Sequence, residues 1–227
     1  RDVERSRGLG DVYKRQDIYQ PVGDTQELRP LLLFMHSGSF FTGNKNADDM
    51  VALSIASAQR GYVAASLSYR LGLNILSSYS GERAVYRSVQ DASAAIRYFR
   101  ENSDAYNIDP DAIFIWGSSA GSFSAINLAY LDDSERPEST YGSGNDPDLG
   151  CVDCAGNDYD HSNKPNAIVS CWGAISSLDY IDDEDTTPIA MFHGTLDPIV
   201  PFSSGYPFTV DIALPFVCLL YTSDAAD

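Results

Sequence analysis

Residues 117 to 121 read Gly117-Ser118-Ser119-Ala120-Gly121, a G-x-S-x-G pattern in which one serine is framed by glycines. Only Ser119 fits the frame, because Ser118 has Trp116 two places before it and Ala120 two places after. A serine that attacks a carbonyl must sit on a sharp, strained turn, and glycines on either side let strand and helix approach closely there. Two other short runs carry complementary chemistry. His36-Ser37-Gly38-Ser39-Phe40 is built of small residues whose backbone N–H groups could face an oxyanion, and losing one such donor typically costs about 3 kcal/mol of transition-state stabilisation. His193-Gly194-Thr195-Leu196-Asp197-Pro198 offers a carboxylate, Asp197, suited to orienting an imidazole and stabilising it once protonated. Taken singly, each run also reads as a plain turn.

The surrounding elements bring the three runs together. Short apolar runs of strand length recur at 31–35 (LLLFM), 62–68 (YVAASLS), 112–116 (AIFIW), 167–172 (AIVSCW) and 188–192 (PIAMF). Several are apolar throughout, as buried parallel strands are. Between them lie helical stretches at 50–60 and 86–102; in the second, Val89, Ala92, Ile96 and Phe99 recur at helical spacing. SFSAINLAYL, after the glycine frame, supplies a helix for the turn. The alternation predicts an α/β fold, a mostly parallel central sheet with helices on both faces, in which ligands bind at the carboxyl ends of the strands. All three candidate runs fall at such ends, in the chain order oxyanion loop, serine, acid.

Composition narrows the function classes. The 227 residues suit one α/β domain. With 15 basic against 32 acidic residues the net charge is −17, which disfavours nucleic-acid and anionic-membrane partners. No apolar run approaches the roughly 20 residues that span a bilayer, so a soluble protein is expected.

With these motifs in place, the sequence resembles the α/β-hydrolase esterases, in particular the carboxylesterase and hormone-sensitive-lipase-like group with an HGGGF-type oxyanion loop. The resemblance runs from DIYQP (17–21) through LSYRLG (67–72), the DASAAIRYFREN helix and NIDPDAIFIWGSSAG to VPF (200–202). It implies an ester hydrolase acting through an acyl-serine intermediate on a small-molecule ester, with no cofactor. Ser119 would be the nucleophile, Asp197 the acid, and Gly38, Ser39 and Ala120 the oxyanion donors. Phe40, Phe41 and Trp172 follow strands and are candidates for the substrate pocket. Ser37 and Ser39 depart from the loop's usual glycines; a serine there keeps its N–H but is strained wherever φ must be positive.

The proton acceptor departs further. The family order is serine, acid, histidine, yet the histidines here are His36, His161 and His193, none after Asp197. A base between serine and acid, such as His161, would break that order. The expectation is that the catalytic histidine, the last strand and the last helix lie beyond a truncated carboxyl end. Turnover by this chain would then be impaired, with slow or absent labelling by a fluorophosphonate, and the PIAMF strand would be an exposed edge prone to self-association. A serine peptidase of the same fold and a non-catalytic hydrolase-fold binding protein are the alternative functions.

The two ends resemble translated adapter or library sequence. Residues 1–15 show neither strand alternation nor an apolar helix face, and 218–227 follow no turn logic, so both are expected to be non-native or disordered flanks of a 16–217 domain. Residues 132–166, rich in Asp, Gly, Asn, Ser and Pro, read as a polar insert or small cap near the active-site rim. A disulfide between Cys171 and either Cys151 or Cys154 is expected if the protein is exported to the periplasm or secreted; otherwise the protein would be cytoplasmic. No metal site is expected, because nothing completes four zinc ligands around Cys151-x-x-Cys154 and the insert's aspartates match no calcium-loop spacing.

Overall fold

A computed structural model of the chain describes residues 3–7, 16–23, 25–209 and 217–218. Strands β1 (Val3–Arg7), β2 (Gln16–Pro21), β3 (Arg29–Met35), β4 (Val63–Leu67), β5 (Ile108–Ser118), β6 (Ala167–Cys171) and β7 (Ile189–Phe192) form one sheet in the order β1-β2-β4-β3-β5-β6-β7. From β4 to β7 all neighbours are parallel, and β1 and β2 run antiparallel at the other edge. The five strands read from apolar runs are all present. Helices α1 (Asp48–Gln59), α2 (Ser80–Glu101), the single turn α3 (Ser103–Tyr106) and α4 (Ala120–Tyr130) complete the framework. Ser204–Gly205 and Val217–Cys218 pair as a separate two-residue ladder, β8 and β9.

Burial explains why the central runs lack alternation. Tyr19, Phe34 and Ala64 pack with Met50 and Ala58 of α1 on one face of the sheet. Leu31, Leu33, Ile113 and Ile115 pack with Val89, Ile96 and Phe99 of α2 and Ile126 of α4 on the other. Each fully buried aliphatic side chain contributes about 1.5–3 kcal/mol relative to exposure.

Of the two expectations for the first fifteen residues, non-native sequence or disorder, disorder does not hold for Val3–Arg7. Val3–Arg7 pairs residue by residue with β2, from Val3 opposite Pro21 to Arg7 opposite Asp17. An edge strand is recruited by the backbone N–H and C=O groups of its neighbour, which needs no alternating side-chain pattern. The rest of that flank, and residues 219–227 of the tail, lie outside the described residues.

The polar insert is strapped along α2. Arg83, Gln90 and Arg97, seven residues apart on one face of the helix, are all buried. The Arg83 guanidinium donates to the carbonyls of Ser139 and Pro147, Gln90 to those of Leu149 and Cys151, and Arg97 to those of Ala155 and Asn157. Tyr86 Oη adds a hydrogen bond to the Gly150 carbonyl at 2.8 Å. A polar stripe that would ordinarily face water thus satisfies backbone groups of a segment whose own regular structure is limited to short 3-10 turns. Arg97→Ala is expected to destabilise the fold by about 2–3 kcal/mol, because it removes a buried guanidinium and its hydrogen bonds to half-buried carbonyls of the insert. Urea unfolding of the variant beside the parent measures this.

The cysteine expectation is also corrected. Cys151 is bonded to Cys154, and Cys171 is a buried free thiol. The insert cysteines flank one 3-10 turn, Val152–Cys154, with Cα atoms 5.0 Å apart, inside bridging range. Cys171 is fixed at the end of β6, opposite Ser118 on one side and Phe192 on the other. Burial pushes its thiol pKa up, so it is a poor nucleophile there.

Candidate active site

Ser119 occupies the turn between β5 and α4 with φ 49° and ψ −120°. That backbone region belongs to the first central residue of a type II′ turn, where glycine is preferred. Three anchors hold a serine in it. Its N–H donates to the Cys171 carbonyl at the end of β6 (2.9 Å), and its own carbonyl accepts from Ser122 (2.8 Å) and Phe123 (3.0 Å). The flanking glycines are required by contact: a Cβ on Gly117 would stand 2.4 Å from the Gly121 carbonyl oxygen, and one on Gly121 would stand 2.2 Å from that of Met35.

The loop after β3 turns through three successive positive φ values, 129° at Gly38, 53° at Ser39 and 56° at Phe40. A Cβ at Gly38 would meet the Thr42 carbonyl oxygen at 2.0 Å, so glycine is needed there. Ser39 bears the strain expected of a serine in a glycine position, and the loop is tied down around it. Phe41 and Thr42 donate to the Gly38 carbonyl, Gly72 and Leu73 to that of Phe40, and Tyr69 Oη to that of His36 at 2.6 Å. The N–H groups of Ser39 and Ala120 have no hydrogen-bond acceptor among the described residues. Both residues line the cleft that holds Ser119, whereas Gly38 does not. Two unsatisfied donors beside a strained serine are what stabilisation of a tetrahedral oxyanion requires.

The cleft is narrow and partly open to solvent, and its walls are almost wholly apolar. Phe40 lines it as the sequence predicts. Phe41, 73% exposed, and Trp172, 43% exposed, do not. Phe41 belongs to the turn that closes back on Gly38, and the Trp172 N–H is held by the Phe192 carbonyl. Leu73, Val85, Phe123, Ile199, Val200, Pro207 and Phe208 also line the cleft. Leu73 and Val85 carry no motif in the sequence, but both follow the YVAASLS strand, one of the strands whose following segments reach the cleft. No residue of the 132–166 insert lines this cleft.

Asp197 sits in the turn after β7. Its Oδ1 accepts from the N–H groups of Ile199 (2.8 Å) and Val200 (3.0 Å), two residues of the cleft wall, while Oδ2 makes no hydrogen bond among the described residues. None of the three imidazoles is bonded to Ser119. His36 is buried and stacked on Tyr69, with Nδ1 2.7 Å from the Ser37 carbonyl. That contact makes Nδ1 the protonated nitrogen, and burial holds the ring pKa below its ordinary value, so His36 braces the loop as a neutral ring. His161 Nε2 binds Glu101 at the far end of α2. His193 Nε2 is 2.9 Å from the Val200 carbonyl and 3.6 Å from Asp197 Oδ2, so it braces the acid's turn. Among the described residues no cluster of His, Cys, Asp or Glu could hold a metal ion.

A mostly parallel sheet, a serine on a strained strand-to-helix turn and unsatisfied backbone donors on the same cleft define an α/β-hydrolase fold, and known structures carry it. Esterase 2 of Thermogutta terrifontis superposes with TM-score 0.62 at 22% identity, covering 88% of this chain and 74% of that one. MGS-M1, an α/β-hydrolase enzyme from a Medee basin deep-sea metagenome library, gives 0.58 at 24% identity over 88% and 72%. The BD-FAE family model matches residues 16–175, and the chain belongs to that family. Among curated proteins, the para-nitrobenzyl esterase of Bacillus subtilis is 30% identical over 115 residues, 49% of this chain and 23% of that protein. Human neuroligin-2 is 36% identical over 104 residues, 45% of this chain and 12% of that protein. The chain therefore spans less than a quarter of the length of either.

Proposed function

We propose that the protein hydrolyses carboxylic esters through an acyl-serine intermediate at Ser119. The observation that carries this reading is the Ser119 turn itself, opening into an apolar cleft beside the unsatisfied N–H groups of Ser39 and Ala120. Ser119 Oγ attacks the ester carbonyl as its proton passes to an imidazole base, which Asp197 Oδ2 remains available to orient. Those two N–H groups receive the developing oxyanion, the alcohol leaves with that proton, and water then releases the acid from Ser119. Relatives named as esterases support the chemistry. The Thermogutta terrifontis esterase has been described with butyrate bound, and a narrow apolar cleft suits a similarly short acyl chain.

The serine lacks a bonded base, so unassisted turnover is expected to be slow. Added imidazole should accelerate p-nitrophenyl butyrate hydrolysis by the parent chain and leave Ser119→Ala at the buffer rate; equal rates for both would refute the proposal. Aminoacyl-nitroanilides, included in the same assay, should remain uncleaved. A second reading, a hydrolase-fold binding protein without catalysis, is favoured by the same missing imidazole, and it predicts no Ser119-dependent acceleration.

Two further properties belong to this proposal. The described residues place no strand beyond β7, and Phe192 on it is 60% exposed, which favours self-association along that edge. Sedimentation velocity should show mass rising with protein concentration, and a constant monomer would contradict it. The Cys151–Cys154 disulfide supports an exported location, periplasmic or secreted. Among the described residues no helix is long and apolar enough to cross a membrane.

A further inference from the structure

The oxyanion loop and the nucleophile turn come from different strands, and the chemistry works only if they keep a fixed spacing. The N–H of Ser39 belongs to the loop after β3 and that of Ala120 to the turn after β5, yet both must reach the same oxygen atom. The β3–β5 ladder ends at Met35 opposite Gly117. Beyond that pair there is no ladder, and each chain is anchored elsewhere. The loop is bound to itself and to residues 69–73, while the Ser119 N–H is bound to β6.

One feature prevents the two segments from approaching further. Gly121 lies directly against the Met35 and His36 carbonyls, where an added Cβ would come within 2.2 and 2.8 Å of the oxygens. That is a steric stop, which sets a minimum separation and does nothing to prevent a larger one. The only hydrogen bonds across the gap, among the described residues, join Ser37 to Ser118. Ser37 Oγ lies 2.6 Å from Ser118 Oγ and 3.2 Å from the Ser118 carbonyl oxygen. One proton arrangement satisfies both contacts: the Ser118 hydroxyl donates to Ser37 Oγ, and the Ser37 hydroxyl donates to the Ser118 carbonyl. Ser118 is 1% exposed, so water does not compete for its hydroxyl.

We infer that Ser37 and Ser118 are positioning residues: their paired hydroxyls extend the coupling of β3 and β5 past the end of the ladder and set the maximum distance between the oxyanion donors. This rests on reading Ser119 as the nucleophile. It also gives the two serines that stand outside the catalytic frame a joint role. With glycine at 37 the tie could not exist, and the strained run from Gly38 to Phe40 would be held only from its far side.

The test is the labelling of Ser119 by a fluorophosphonate in imidazole buffer, with Ser37→Ala, Ser118→Ala and the double variant compared with the parent. The limiting rate at saturating reagent should fall about tenfold in each single variant, while the half-saturating concentration stays within about twofold. The double variant should be no slower than the slower single one, because both remove one tie. Melting temperatures should stay within about 2 °C of the parent, which separates positioning from general destabilisation. Ser118→Thr and Ser118→Val add the same bulk and differ only in the hydroxyl, so Thr should label faster than Val. Rates within twofold of the parent, additive losses, or equal rates for Thr and Val would overturn the inference. If the parent itself is not labelled, the hydrolase reading fails, and amide hydrogen exchange then decides the tie alone. Residues 38–41 should exchange faster in both single variants and no faster in the double; unchanged exchange would refute it.

Discussion

Ser119→Gly is expected to abolish covalent labelling and ester hydrolysis while making the protein more stable by about 1 kcal/mol. Both effects come from one backbone geometry. At φ 49° and ψ −120°, Ser119 occupies a region that its own Cβ disfavours and that glycine enters freely. The hydrogen bonds from Ser119 to Cys171 and from Ser122 and Phe123 to Ser119 are all backbone interactions, so they survive the substitution. What is lost is the hydroxyl, and with it the nucleophile. Activity and stability therefore move in opposite directions at this position, unlike at a buried core serine, where removal of the side chain weakens both. Urea midpoints and labelling rates on the same preparations give the comparison. A Ser119→Gly protein less stable than the parent would mean that the turn is not strained.

Gly121→Ala should act the other way, destabilising by about 3 kcal/mol or more and removing labelling as well. Its Cβ would fall 2.2 Å from the Met35 carbonyl oxygen and 2.5 Å from its carbon. Those are backbone atoms of the central strand, so no side-chain rotation relieves the overlap, and β3 must separate from α4. Gly117→Ala meets the Gly121 backbone in the same manner, at 2.4 Å. Gly194 is the control. It lies between His193 and Asp197, yet a Cβ there meets nothing within 4 Å, so Gly194→Ala should stay within about 0.5 kcal/mol of the parent. Thermal unfolding of the three variants distinguishes contact-dependent glycines from one that merely sits near the site.

The parts of this molecule that could be read in advance are those where local sequence and final environment agree. LLLFM is buried but for half-buried Leu32, and AIFIW buries Ile113 and Ile115 on one face while Ala112, Phe114 and Trp116 are half-buried on the other. Neither run has a solvent face, and their unbroken apolar character reflects that environment. The glycine frame was legible for a similar reason, because steric contact leaves few alternatives to glycine there. Other features depend on distant partners. Arg83, Gln90 and Arg97 look like a solvent face until the 132–166 segment lies over them. The Cys151–Cys154 bond forms because a helix holds both cysteines in one turn, which spacing alone could not distinguish from a longer link to Cys171. β1 owes its existence to the open edge of β2. Phe41 and Trp172, placed in the pocket because they follow strands, point elsewhere because the backbone turns sharply at both positions. Strand ends locate a site, but left-handed residues such as Trp172, with φ 46°, decide which side chains enter it.

The most direct test of the central claim is to mix the protein with p-nitrophenyl butyrate in imidazole buffer, quench with acid, and map the acylated peptide by mass spectrometry. One butyryl group on Ser119, absent from Ser119→Ala and enriched because a serine without a bonded base deacylates slowly, is the predicted result. Butyryl groups on lysines alone, or none on the peptide containing Gly117 to Gly121, would contradict it.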